Sequence, residues 1–452
     1  MRKVDWHVIP WLALLYFLNF LDRGNVGNAK LYGLEGDLGI SDRQYLIALT
    51  VFFFPYALLE PATNVLLKRL KPSYFLSFMI VSWGIVMTLH GIIHDYGGLV
   101  TCRVLLGPFE SGMYPGIVFY ISSWYKRTEL GSRVAVFFTS ATVAGAFSGL
   151  LASAIQNMHG IGGKPGWAWI FILEGLLTVV IGVLSLWVIQ DFPDTAKFLN
   201  EEERAFIIRR LQDDMKLSAS GENFNMKYVW QSLTDWKTWM ASDDGPLFAF
   251  SLFTPTIINQ LGYTATIANL LSVPVYVWAC LVTLIIGFLG DRIGHRAYIN
   301  FGLFGTGLVG YIILIASRNA ALSYFAVYLA AAAWVAGNVE GAYKRGVTLA
   351  MAIGFGNLNG AVTSNVYRAN DAPWYPLGHG IVLAYIAIGF LSSALFLVGL
   401  KRANAAKERG EHDEIIHGSE SKFAHERNGT YATVEEARMD KGDAWSGFKY
   451  TY

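Results

Sequence analysis

Between Arg103 and Arg127 the chain carries Arg103 and Glu110 inside a stretch apolar and long enough to cross a bilayer. A charge near the bilayer centre costs a few kcal/mol at least, so such residues normally face a polar cavity and have a task there. Arg103 and Glu110 are seven residues apart, which is two helical turns and about 10 Å of rise and sets them on one helix face. Gly107 between them leaves room for a ligand or a partner helix, and Tyr114 extends the same face. A fixed cation can hold an organic anion, and an acid can take up and release a proton. Burial favours the protonated form of such an acid and neighbouring arginines favour the ionised form. Glu110 can therefore change state when its surroundings shift. One cation and one acid facing one cavity suit a carrier of anions coupled to protons. The competing reading is a buried ion pair that only locks two helices together.

Other polar residues fall in apolar surroundings. Asp22 and Arg23 follow an apolar run that begins at Val8. A run that short cannot cross a bilayer, so the helix should continue to about Leu31 and hold both charges within the membrane. Glu174 and Glu60 lie inside the sixth and second apolar runs, where each is either a proton carrier or a protonated hydrogen-bond partner between helices. Asn357 and Asn359, in Gly354-Phe-Gly-Asn-Leu-Asn-Gly360, place amides among glycines that allow close helix approach. They either bridge helices or read a substrate. Gly287-Phe-Leu-Gly-Asp291-Arg292-Ile-Gly-His-Arg296 reads as a tight gating turn. Asp291 is expected near the start of the following helix, where the helix dipole favours an acid. Arg292 and Arg296 are expected to latch onto helix carbonyl ends.

The elements that must position these residues are legible in the hydropathy. Of 452 residues, 54% are hydrophobic and only 15% charged, well below the charge content of soluble domains. Apolar runs of membrane-spanning length recur near 8–28, 45–67, 73–93, 98–124, 134–156 and 167–190, and again near 240–261, 268–290, 297–316, 320–339, 346–367 and 379–400. Six spans, a polar stretch over 191–237 and six more spans predict an all-α membrane protein of two six-helix halves, residues 1–190 and 238–401. The seventh and tenth spans are shortened, and can cross only with little tilt or local thinning. Residues 402–452 are polar and charged, a composition that predicts a disordered tail.

Basic residues alternate between connections. Lys68, Arg69 and Lys71, then Lys126, Arg127 and Arg133, then Arg292 and Arg296, then Lys344 and Arg345 fall on one side. That pattern predicts cytoplasmic termini and a cytoplasmic 191–237 linker. The start Met1-Arg-Lys leads into an apolar run that ends in Asp22-Arg23 rather than at a small-residue cleavage site, so the first span is expected to act as its own insertion signal. Cys102 and Cys280 both lie inside apolar spans, which offers neither a disulfide framework nor metal-ligand spacing. A net charge of +1 gives no reason to expect nucleic acid. No nucleophile, metal or cofactor constellation argues for an enzyme. No metal is expected, and no obligate protein partner is evident.

With these features in hand, the chain resembles the major facilitator superfamily, and within it the fungal form of the anion:cation symporter branch. The carrying stretches are Leu15 to Ala29, Arg103 to Tyr125, Asp191-Phe-Pro-Asp-Thr-Ala-Lys-Phe-Leu199, the Gly287–Arg296 turn, and Asn338 to Val347 running on to Arg368. The resemblance implies a twelve-helix fold and alternating access about a midplane site. It implies that Asp22 and Glu110 carry protons and that Arg23 and Arg103 hold the substrate carboxylate. Read from the residues themselves, Glu174 is a further proton-coupling candidate, and Tyr114, Asn357 and Asn359 are further substrate-binding candidates. The expected partners are a small organic anion and membrane lipid. The only driving agent is a proton gradient, with no cofactor. Export of a pathway intermediate, or sensing without transport, remain open beside import. The chain departs from the resemblance at Trp167-Ala168-Trp169, where the branch usually has an arginine between the tryptophans.

Overall fold

The computed structural model describes residues 1–215, 245–293, 296–339, 358–416, 424–441, 445–447 and 449, which are predominantly helical. Eight helices among the described residues are long and apolar enough to cross a membrane. In the amino half, α1 runs unbroken over Arg2–Leu31, so Asp22 and Arg23 lie inside it as the sequence requires. Ser41 opens α2 (Asp42–Arg69) through a reciprocal capping box with Gln44. Pro72, without an N–H to satisfy, starts α3 (Pro72–His90).

The fourth expected span is not one helix. It divides into α4 (Tyr96–Glu110) and α5 (Met113–Ser122), with Ser111 and Gly112 between them. Pro115 is the cause: it cannot donate to the carbonyl four residues back, Ser111, and its ring collides with that carbonyl. Pro115 sits in the first turn of α5, where its missing N–H costs nothing. α6 (Arg127–Ile155) and α7 (Gly166–Val188) complete the half, and α8 (Glu201–Met215) follows, with three glutamates in its first turn where the helix dipole favours them.

The carboxyl half contains α9 (Gly245–Gln260), α10 (Ala265–Ile293), α11 (Arg296–Ala316), α12 (Ala320–Val339), a helical stretch over 358–363, and α13 (Pro376–Glu408). The 16 described residues of α9 reach about 24 Å, against a roughly 30 Å hydrocarbon core. The 20 residues of α12 just match it. α13 continues past Lys401 to Glu408. Beyond it, where composition predicts disorder, Ile415–Ile416 pairs in parallel with Thr430–Tyr431 and a short α14 covers Val434–Lys441. Glu414, buried there, accepts from Lys441 Nζ at 2.7 Å and from the Ser446 backbone N–H at 3.1 Å.

Small residues bring the helices together. α3 lies along α7 through glycines from both sides: a Cβ on Gly84 would meet the Val179 nitrogen at 2.8 Å, and one on Gly175 the Thr88 nitrogen at 2.5 Å. Such contacts are how membrane helices pack without a hydrophobic drive between them. α2 packs on α4, and α1 packs on α6 and α7. The two halves meet mainly where α6 packs on α10 and α1 on α9. Large apolar side chains such as Phe54, Leu58, Ile285 and Leu391 point outward, as a lipid-facing surface requires. Trp6 and Trp187, both highly exposed, lie at the end of the bundle where α1 begins, the place for an interfacial aromatic belt.

At the opposite end, hydrogen bonds join the two halves. Asn269 Nδ2 donates to the Tyr32 hydroxyl at 3.2 Å and Asn365 Nδ2 to Thr50 Oγ1 at 2.7 Å. The Ala369 backbone N–H donates to Asp42 at 3.2 Å, while Lys30 Nζ holds the other oxygen of Asp42 at 2.6 Å.

Candidate functional site

The site forms where α1 passes α4, α3 and α7. Its central contact is an ion pair in which Arg23 Nε donates to Glu110 Oε1. Asn19, one turn before Arg23, donates to the same oxygen at 2.8 Å. Glu110 is buried, whereas the Arg23 side chain keeps 18% of its surface. The guanidinium lies over the Phe20 and Tyr56 rings, at 5.5 and 5.3 Å from their centroids. Stacking of this kind lets a charged group leave bulk water at modest cost.

Arg23 also lines a cavity between the halves. Asn28 and Ser148 from the amino half and Leu252, Ser272 and Tyr276 from the carboxyl half share its wall. The cavity measures about 30 Å³, space for about one water. An organic anion needs the halves to part before it can enter. Gly145 and Gly149 of α6 allow α10 to approach: a Cβ on Gly145 would strike the Tyr276 ring at 2.6 Å.

Asp22 occupies the other side of α1. Trp83 Nε1 donates to its Oδ2 at 2.7 Å and Thr178 Oγ1 donates to the same atom at 3.2 Å. Asn25 Nδ2 approaches its Oδ1 at 3.4 Å and donates to Glu174 Oε2 at 2.9 Å. Asp22 and Glu174 are thus bridged by one amide, and both are buried.

The remaining expected residues divide. Arg103 is buried, but it does not line the cavity, and its Nε and Nη2 find no hydrogen-bond partner among the described residues. The acid facing it two turns along the helix, Glu110, is taken by Arg23. Gly107 admits a partner helix rather than a ligand: its Cβ would meet the Phe52 carbonyl of α2 at 2.7 Å. Tyr114 follows the break in the fourth span and does not line the cavity. It stacks on Tyr16 instead, with ring centroids 5.6 Å apart.

Asn359 is the second residue of the helical stretch at 358–363, half-buried, and does not line the cavity. Asn357 lies outside the described residues. Asp291 and Arg292 close α10 instead of opening α11, which starts at Arg296. The expected dipole stabilisation of Asp291 is therefore reversed, because a helix carboxyl end favours cations. The side chains of Asp291, Arg292 and Arg296 lie outside the described residues.

Sequence reasoning passed over Asn19, Asn25, Trp83 and Thr178. The two asparagines carried a signal, since they stand four residues before Arg23 and three after Asp22, within one helical turn of a charge. Trp83 and Thr178 carried none, because they approach from other helices.

The arrangement holds ionisable groups in a dry interior beside a cavity between two helical halves, and among the described residues no cluster of His, Cys, Asp and Glu could hold a metal ion. Known proteins agree with this picture. The family model of the Major Facilitator Superfamily matches residues 12–397. An uncharacterized transporter of Schizosaccharomyces pombe is 35% identical over 444 residues, covering 95% of this chain and 90% of the relative. The high-affinity nicotinic acid transporter of Saccharomyces cerevisiae is 30% identical over 423 residues, covering 90% of this chain and 79% of the relative. A crystal structure of a bacterial homologue of the human lysosomal transporter Spinster, inward-facing and occupied, matches with a TM-score of 0.61 at 15% identity. It covers 88% of this chain and 97% of that one, a likeness that speaks for the fold alone. Family model, relatives and fold together make the chain a multi-pass membrane transporter, not an enzyme, and a member of the Major Facilitator Superfamily.

Proposed function

We propose that this transporter imports a small organic anion together with protons, by alternating access of its two halves, as a member of the anion:cation symporter branch. The observation that carries the reading is the Arg23–Glu110 pair on the wall of the inter-half cavity. Arg23 can serve either Glu110 or a substrate carboxylate. Protonation of Glu110 removes its charge and frees the guanidinium for the substrate, and loss of that proton returns Arg23 to Glu110 and expels the anion. Proton and substrate are then coupled through one side chain. A guanidinium suits this exchange because its planar fork matches a carboxylate bidentately.

Arg103 is the second anchor in this reading, since its Nε and Nη2 are buried donors without acceptors among the described residues. Tyr114, Asn357 and Asn359 complete the substrate contacts, and Asp22 and Glu174 share the proton handling with Glu110. The Gly287–Arg296 segment acts as the gate. The contacts among Tyr32, Asn269, Thr50, Asn365 and Asp42 close the end we assign to the outside, with both termini and the linker cytoplasmic and the protein in the plasma membrane. The yeast relative named for nicotinic acid supports a carboxylic acid as cargo.

The test is a panel of labelled carboxylates offered to proteoliposomes with and without an inward-acid gradient. Accumulation of at least one acid, abolished by collapsing the gradient, is the expected result. Gradient-independent uptake, or accumulation of neutral solutes only, contradicts the reading.

A further inference from the structure

Among the described residues the interior of the amino half holds four acids, Asp22, Glu60, Glu110 and Glu174, all under 4% exposed, against the two arginines Arg23 and Arg103. An ionised carboxylate in such surroundings must be paired or well hydrogen-bonded, so the acids compete for few partners. Glu110 has Arg23 and Asn19. Asp22 has Trp83 and Thr178, with Asn25 at the edge of range. Glu174 has the single bond from Asn25 Nδ2 at 2.9 Å.

The Asn25–Glu174 pair contains two orphans. Glu174 Oε1 and Asn25 Oδ1 are both buried and, among the described residues, both without a hydrogen-bond partner. Each is an acceptor, so no rearrangement between the two satisfies them while Glu174 is ionised. A proton on Glu174 turns its carboxyl into a donor and supplies what both lack. The other titratable groups facing this place oppose a negative charge or leave it alone. Asp22, on α1, is an acid. His90, on α3, stacks on Phe171 one turn from Glu174, at 5.2 Å between centroids, and its Nδ1 is engaged by the Val86 carbonyl at 2.9 Å. The ionisable residues of α6, which are Arg127, Glu129 and Arg133, all lie in its first two turns.

We propose that Glu174 holds a proton in the substrate-free transporter, and that Asn25 is a positioning residue that sets the pH at which this proton is lost. The proposal rests on proton coupling as read above, but it assigns the resting proton to Glu174 and leaves Glu110 ionised against Arg23. Asn25 donates to the ionised form of Glu174, so it makes release possible. Through the same amide it senses Asp22, which links proton loss to the neighbour of the substrate-binding Arg23.

Infrared spectra of the purified full-length protein in proteoliposomes, without substrate, are followed while pH is raised. The reporter is the carbonyl stretch of a buried protonated carboxyl. The band is expected in wild type and in Glu110→Gln, and weaker by one carboxyl's share in Glu174→Gln. In Asn25→Ala it should persist to a pH about one unit higher, the consequence of losing one hydrogen bond to a carboxylate. Thr178→Val removes a donor to Asp22 and none to Glu174, so it should move the midpoint less than Asn25→Ala does. A band unchanged in Glu174→Gln overturns the proposal, and so does an Asn25→Ala titration identical to wild type. Should Asn25→Ala fail to fold, the Glu174→Gln spectrum decides alone. The measurement needs no transport, so a failure of gradient-driven uptake in wild type would remove the symport reading without touching this result.

Discussion

The two halves are built from similar helices but differ in what they bury. The amino half encloses Asp22, Glu60, Glu110, Glu174 and Arg103, with Arg23 at the cavity wall. Across the membrane-spanning helices of the carboxyl half, the described buried polar residues are neutral or imidazole: Thr254, Asn269, Ser272, Thr283, Asn300, Ser323, Thr363, Ser364, His379 and Ser393. Burying charge is costly, so a half that does so repeatedly has been given a task there. We read the amino half as the place where charge is exchanged and the carboxyl half as the wall it works against, supplying shape, hydroxyls and the Tyr276 ring.

The largest effect should follow removal of the shared cation. Arg23→Ala is expected to lower uptake by about two orders of magnitude at unchanged surface expression, as loss of a buried charge-assisted pair implies. Uptake within a few-fold of wild type would transfer the substrate charge to another residue. Next in size is Arg103→Lys, which keeps the charge but not the fork. Apparent affinity should fall by about ten-fold, and near-normal affinity would make Arg103 a packing residue.

A third comparison sets a fixed contact against a moving one. Gly175→Ala drives a methyl into the α3 backbone and should cost about 1–3 kcal/mol, read as lowered thermal stability. Gly145→Ala meets only the Tyr276 ring, which can turn aside. It should leave stability nearly unchanged while slowing transport, because it lies between the halves. Smallest of all, Asn269→Ala in the carboxyl half removes one hydrogen bond to Tyr32. It should alter uptake only a few-fold. A loss as deep as that of Arg23→Ala would break the contrast between the halves.

The sequence made the helices and the acids visible, and it did so through composition: a charge within an apolar run is conspicuous wherever it falls. It placed Asp22 and Arg23 inside the first helix by counting the residues needed to cross. It could not show partners, because those are made across helices. Glu110 looks toward Arg103 when one helix is considered alone, yet Arg23, 87 residues away, claims it. The break at Ser111 and Gly112 was legible in principle from Pro115 and was missed because hydropathy runs smoothly through it. The tail misled for a different reason: its charge is high, but Glu414 with Lys441 and the Ile415–Thr430 pairing organise it through a few specific contacts that composition does not register.

Glu110→Gln tests the central claim most directly, in proteoliposomes assayed for both substrate counterflow and pH-driven uptake on one preparation. Glutamine fixes the neutral state, which leaves Arg23 free for substrate but gives up no proton. Counterflow retained while pH-driven accumulation is lost is the predicted result. Accumulation that survives in Glu110→Gln would contradict coupling through the Arg23–Glu110 pair.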